Sequence, residues 1–186
     1  MRVDNRRRIL AVLMAAAGVL LVLLGGVLVT VAQSDSPLYE LPNANTSYTS
    51  SSSIALTQSG ATMVVANMLN DTASLVLPIQ GDLIVEIPVG DDPRTVDITP
   101  DNARALVVNR GDGTLSVLDI NDNSNVSVIA THALGLLPYG VVAATNTTAY
   151  VSLQAQAEVI EIDITSGEIL TRIPTPDSPS GLLLWD

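Results

Sequence analysis

IPVGDDPRTVDITPDNARALVVNRGDGTLSVLDINDNSNVSVI, Ile87 to Ile129, decides the fold. Arg94–Thr99 alternates apolar and polar residues, the pattern of a strand with one buried face. Pro100-Asp101-Asn102 is a turn, and Ala105–Asn109 is an apolar strand. Gly111-Asp112-Gly113 is a tight hairpin turn in which glycine supplies positive φ. Thr114–Ile120 is a third strand, Asn121-Asp122-Asn123 a third turn and Val126–Ala130 a fourth strand.

The same pattern recurs on both sides. MVVAN ends at Asn67, ALVVN at Asn109 and AYVS at Ser152, spacings of 42 and 43. TLSVLDI carries Asp119, and EVIEIDI carries Asp163, 44 residues on. Ile87-Pro88-Val89-Gly90 returns as Ile173-Pro174-Thr175-Pro176, and Pro93, Pro138 and Pro179 each precede a short apolar strand. Four antiparallel strands in each period of about 40–45 residues define a β-propeller blade, and the strand-type patterning excludes leucine-rich and helical repeats. The first repeat is weaker, because Pro78 falls where Asp119 and Asp163 sit. The predicted fold is therefore all-β: four-stranded blades over 54–90, 91–134 and 135–176, with 177–186 as the first strand of a truncated fourth.

These residues resemble the YVTN-type β-propeller repeat. Thr99-Pro100-Asp101-Asn102 stands for its Ser-Pro-Asp-Gly-like turn, Leu106-Val107-Val108-Asn109 for the name-giving strand and Leu118-Asp119-Ile120 for its last element. Ala149-Tyr150-Val151-Ser152 and Ile162-Asp163-Ile164 match in the third repeat, and the resemblance covers roughly Ile54 to Asp186. It implies a propeller, with roles ranging from surface-layer protein and binding scaffold to a section of a quinoprotein-like enzyme. Propellers close with about 4–8 blades, and about three are present. The expectation is thus the N-terminal portion of a longer chain; the alternative is short chains that associate to complete the ring. A chain stopping at Asp186 is expected to expose the apolar flat of its last blade and an unpaired strand.

Ahead of the repeats, Arg6–Arg8 precede an uncharged apolar run, Ile9–Ala32. As a helix its 24 residues would span roughly 36 Å, enough for a bilayer core of about 30 Å. Residues 1–32 are read as a transmembrane anchor, with a signal peptide cleaved after Ala32 as the alternative. Either exports the remainder, and the arginines place the N-terminus inside and the rest outside the cell membrane. Residues 33–53, rich in Ser, Thr, Asn and Pro, read as a flexible spacer.

From residue 33 onward there are 18 acidic and 4 basic residues, a net charge of −14 that repels phosphate and excludes nucleic acid as a partner. The expected partners are the membrane and an unidentified protein or small molecule. There is no cysteine, hence no disulfide framework, thiolate metal site or cysteine nucleophile.

No catalytic set, metal site or cofactor is assigned. His132, the single histidine, has no nucleophile and orienting carboxylate implied beside it and reads as a loop residue. Asp119–Asn123 opens like a calcium loop, but Ser124 and Ala130 stand where that loop requires glycine and glutamate. Gly111-Asp112-Gly113 opens no helix, so it is no phosphate loop. The sequons at Asn45, Asn70, Asn125 and Asn146 read as chance turns. By fold-level analogy with loops converging on a propeller channel, Asp92, Arg94, Arg110, Asp112, Tyr139 and Gln154 are the candidate ligand-binding residues. The functional expectation is a membrane-anchored binding or surface scaffold. Its alternative is part of a lactonase-like hydrolase or quinoprotein-like oxidoreductase, completed by further blades.

Overall fold

A computed structural model describes residues 12–15, 19–24, 27–32 and 48–185. The chain divides into two compact units, Met1–Ala44 and Asn45–Asp186. In the first, β1 (Val12–Ala15), β2 (Val19–Leu24) and β3 (Val27–Ala32) form one antiparallel sheet in the order β1-β2-β3. This corrects the expected single helix. Valine, abundant in the run, favours extended backbone, and the glycines at 18 and 25–26 fall between the strands. Among the described residues no helix is long and apolar enough to cross a membrane. The Arg6–Arg8 cluster, the Ala32–Gln33 junction, most of the spacer and the Asn45 sequon lie outside the described residues.

The second unit opens with β4 (Tyr48–Ser50), inside the stretch read as spacer. Three four-stranded antiparallel sheets follow in chain order. The first is β5 (Ile54–Leu56), β6 (Met63–Asn67), β7 (Thr72–Leu77) and β8 (Asp82–Pro88). The second is β9 (Pro93–Ile98), β10 (Arg104–Asn109), β11 (Thr114–Asp119) and β12 (Ser127–Ala133). The third is β13 (Pro138–Ala143), β14 (Thr148–Leu153), β15 (Glu158–Asp163) and β16 (Ile169–Pro174). Last comes β17 (Leu183–Trp185), paired antiparallel with β4. The final strand is therefore not left unpaired.

The sheets stack face to face because the alternation leaves both faces of the middle sheet apolar. Ala105, Val107 and Leu118 pack with Val64, Ala66, Ala73 and Leu75 of the first sheet. On the other side, Leu106, Val108, Leu115 and Val117 meet Ala149, Val151, Leu153, Ile160 and Ile162 of the third. Each fully buried Val, Leu or Ile contributes about 1.5–3 kcal/mol.

Polar bonds fix the register between sheets. On β9, Thr95 Oγ1 donates to Tyr139 O at 2.6 Å, and Asp97 Oδ2 accepts from Ala143 N at 2.8 Å, joining β9 to β13. His132 Nε2 lies 2.8 Å from Ile164 O, so the lone histidine ties the second sheet to the third. The β-turns of successive sheets are linked as well: Asn102 Oδ1 accepts from Gln58 N at 2.8 Å, and Asn146 Oδ1 from Asp101 N at 3.1 Å.

Asn102 also explains how a repeat manages without glycine at this turn. Its φ is +59°, a left-handed conformation that asparagine tolerates better than other side chains. Asn102→Ala should lose both that tolerance and the bond to Gln58, costing about 1–2 kcal/mol in denaturant unfolding. Asn102→Gly, which keeps the conformation but not the bond, should cost about half as much.

Candidate functional site

Antiparallel topology sends alternate loops to opposite ends of the sheets. At one end lie the β8–β9 connection and the β10–β11 hairpin, which hold Asp92, Arg110 and Asp112, with Arg94 at the start of β9 beside them. Asp92, at φ +51°, accepts from Arg94 Nε at 3.1 Å and Nη2 at 3.0 Å, and Arg110 Nη1 stands 3.7 Å from the same oxygen. The Asp92 amide donates to Asp71 Oδ1 at 3.0 Å. Asp112 Oδ2 accepts from the Asp91 amide at 3.3 Å, while its Oδ1 takes the Thr114 hydroxyl at 2.7 Å. Backbone bonds from Arg110 N to Asp92 O and from Gly111 N to Asp91 O lace the two loops together. This fit requires glycine: a Cβ on Gly111 would lie 2.3 Å from Asp91 Oδ2, and one on Gly90 2.5 Å from Asp112 Oδ2.

Tyr139, at the start of β13, and Gln154, in the β14–β15 connection, belong to the third sheet at the same end. The Tyr139 carbonyl accepts Thr95, and the Gln154 carbonyl accepts the Ser178 hydroxyl at 3.1 Å. The structure thus ties Asp92, Arg94, Arg110 and Asp112 into one network and engages Tyr139 and Gln154 through their backbone carbonyls. Sequence reading missed Asp71, whose marker was its position in the Asn70-Asp71 turn. It also missed Asn109, fully buried, with Nδ2 donating to Thr114 Oγ1 and Ser116 Oγ and Oδ1 unbonded.

At the opposite end, the turns after β5, β9 and β11 enclose an open cleft of about 560 Å³. Thr57, Ser59, Asp101, Asn102, Asn121 and Asp122 line it with hydroxyls, amides and carboxylates. Asp119 and Asp122 cap their own turn by accepting from Asn121 N and Ser124 N, which is how this segment uses its oxygens. Among the described residues no three His, Asp or Glu side chains gather as metal ligands.

Two turn carboxylates titrate low. The Thr99 hydroxyl holds Asp101 below the usual 3.8, and the Ser166 and Thr165 amides do the same for Asp163. A depressed folded pKa adds stability that is present above the unfolded value and lost as pH falls through the folded one. Asp163→Asn should therefore lower the denaturation midpoint between pH 5 and 8, and the difference from the parent should shrink as pH falls below 3.8.

With this geometry in hand, solved structures of β-propeller-like proteins are the ones the chain resembles. Hydrazine synthase of Kuenenia stuttgartiensis matches at 25% identity and TM-score 0.61, over 67% of this chain and 36% of that one. Apo AztD of Citrobacter koseri matches at 17% identity and TM-score 0.58, over 92% and 48%. A putative 6-phosphogluconolactonase of Bacteroides fragilis matches at 14% identity and TM-score 0.59, over 70% and 41%. The chain spans less than half the length of each. No protein-family model and no curated protein sequence matches it. Three four-stranded antiparallel sheets in sequence fit a section of a propeller.

Proposed function

We propose that the chain is a section of a YVTN-type β-propeller serving as an exported binding or surface scaffold. The observation that carries this reading is the engagement of the charged loop groups with one another. Arg94 at the start of β9 and Arg110 of the β10–β11 loop both reach Asp92, and Asp71, Asp91 and Asp112 hold backbone amides or fill glycine-sized gaps. Such a network braces two blades. Scaffolds present loops from a rigid frame, and the cleft lined by Asn121 and Asp122 offers polar groups for recognition. Export rests on the Arg6–Arg8 cluster ahead of 24 uncharged residues and on the acidic remainder.

A hydrolase is the second reading, favoured by the lactonase named among the structural relatives. The full chain should show no lactone turnover, with or without chelator. Turnover abolished by chelation and restored by calcium would replace the scaffold with an enzyme. Fractionation of the native cells should find the chain in the membrane or outside it, with residues beyond 33 open to added protease; a protected cytoplasmic pool would remove the export claim.

A further inference from the structure

The β5–β6 and β9–β10 turns are built alike, yet they are joined to the next sheet differently. Thr57 N donates to Thr62 O at 2.9 Å, and Thr62 N to Thr57 Oγ1 at 3.1 Å. Thr99 N donates to Arg104 O at 3.0 Å, and Arg104 N to Thr99 Oγ1 at 3.1 Å. Thr62 thus holds the place in the first sheet that Arg104 holds in the second. Arg104 uses its length: Nη1 donates to Asn146 O at 3.2 Å, bridging the second sheet to the turn of the third. Thr62 is too short for such a bridge. Its hydroxyl has no hydrogen-bond partner among the described residues, although the residue is only 8% exposed. Where the arginine would reach across, Thr62 instead lines the open cleft of about 560 Å³ between the first two sheets.

The polar groups around that hydroxyl are each held at one atom and free at another. Asp101 Oδ1 accepts from the Thr99 hydroxyl at 2.6 Å and the Ala103 amide at 3.1 Å, which leaves Oδ2. Asp122 Oδ1 caps Ser124 N at 2.9 Å and likewise leaves its Oδ2. Asn102 is fixed through Oδ1 to Gln58 N, so its Nδ2 has two N–H groups to offer. Asn121 is exposed and adds a second carboxamide. Ile120, 4% exposed, is the one apolar residue of the lining.

We propose that this cleft binds a neutral polyhydroxylated ligand, a sugar unit, with the Thr62 hydroxyl at its base. The inference rests on the binding reading above and gives it a ligand class. Two carboxylates face the cleft and none of the four arginines beyond residue 33 lines it, so an anion would meet uncompensated negative charge. A divalent cation such as calcium takes about 6–8 oxygen ligands, usually with several carboxylates, and among the described residues no three His, Asp or Glu side chains gather. An apolar ligand would find Ile120 alone. Sugar hydroxyls suit every group present: they donate to Asp101 Oδ2 and Asp122 Oδ2, accept from the Asn102 and Asn121 carboxamides, and do either with Thr62 Oγ1. The volume falls within the roughly 300–1,000 Å³ of small-molecule clefts. Both walls come from the first two sheets, so the site needs no residue from a further blade.

The test titrates the full chain, in detergent, with glucose, galactose, mannose and N-acetylglucosamine, following backbone amide shifts by NMR. At least one sugar should move the amides of Ser59, Asn102 and Asn121, with a Kd of roughly 1–10 mM. Thr62→Arg, which copies the second sheet's own closure, should weaken that binding at least about tenfold. Thr62→Val keeps the branched shape and removes only the hydroxyl. It should weaken binding about threefold or more without lowering the urea midpoint, because the hydroxyl holds nothing in the fold. Asp122→Asn keeps the cap on Ser124 and should weaken binding similarly. A Thr62→Val chain that loses stability and keeps its sugar affinity would make the hydroxyl structural and overturn the proposal. Shifts with calcium chloride in place of sugar, or sugar shifts confined to the β8–β9 end, would overturn it as well. So would no shift with any of the four sugars, a result that leaves the scaffold reading standing. Lactone turnover would remove the scaffold reading and leave the cleft's affinity to be judged by the same titration.

Discussion

Asp97→Ala should destabilise the second unit by roughly 2–4 kcal/mol, more than any other single polar substitution described here. Asp97 is 6% exposed, and its two oxygens accept from Ile98 N at 2.9 Å and Ala143 N at 2.8 Å. Alanine would leave the Ala143 amide buried between two sheets without an acceptor, and an orphaned buried donor costs about 1–3 kcal/mol by itself. The loss of a charge-assisted bond adds to that. Asp97→Asn retains one acceptor and should cost about half as much. Urea unfolding of the full chain, followed by circular dichroism, reads the difference. A loss under about 0.5 kcal/mol would mean that the bond between β9 and β13 does not hold the stack together.

Asp97 also shows what the sequence could and could not disclose. The strands were legible because turn residues and period-2 alternation repeat every 42 to 45 positions, and Gly113, at φ +72°, sits where a hairpin needs it. In PRTVDI the alternation of Thr95 and Asp97 reads equally well as a solvated strand face. Only the placement of Ala143 across from it, 46 residues on, turns that carboxylate into a buried fastener. The loop candidates were partly legible for the same reason. Asp92, Arg110 and Asp112 lie in loops the repeat assigns to one end, with Arg94 at the adjoining start of β9, but which of them pair is set by the fold and not by local spacing. The apolar run 9–32 misled because hydrophobicity without period distinguishes helix from strand only by length.

Bridging Ser50→Cys to Leu183→Cys should raise the melting temperature by roughly 10 °C, an effect reversed by reductant. The two residues are register partners in the β4–β17 pair. The adjacent Ser51 donates its amide to Leu182 O at 3.0 Å, and Ser51 Oγ accepts from Leu182 N at 2.9 Å. That makes Ser50 and Leu183 a non-hydrogen-bonded pair with Cα atoms about 4.5 Å apart, within the roughly 4.4–6.8 Å a disulfide spans. The bridge would close a loop of roughly 130 residues, worth up to about 5 kcal/mol in the chain-entropy model; engineered bridges deliver less, so about 2–4 kcal/mol is expected. The prediction discriminates because β4 precedes all three blades and β17 follows them. A stabilising bridge within one chain means that the two ends of the repeat array clasp each other in the folded state. Were β17 instead the inner strand of a further blade, β4 would lie elsewhere. The cysteines would then stay reduced or join different chains, and the melting temperature would not move with reductant.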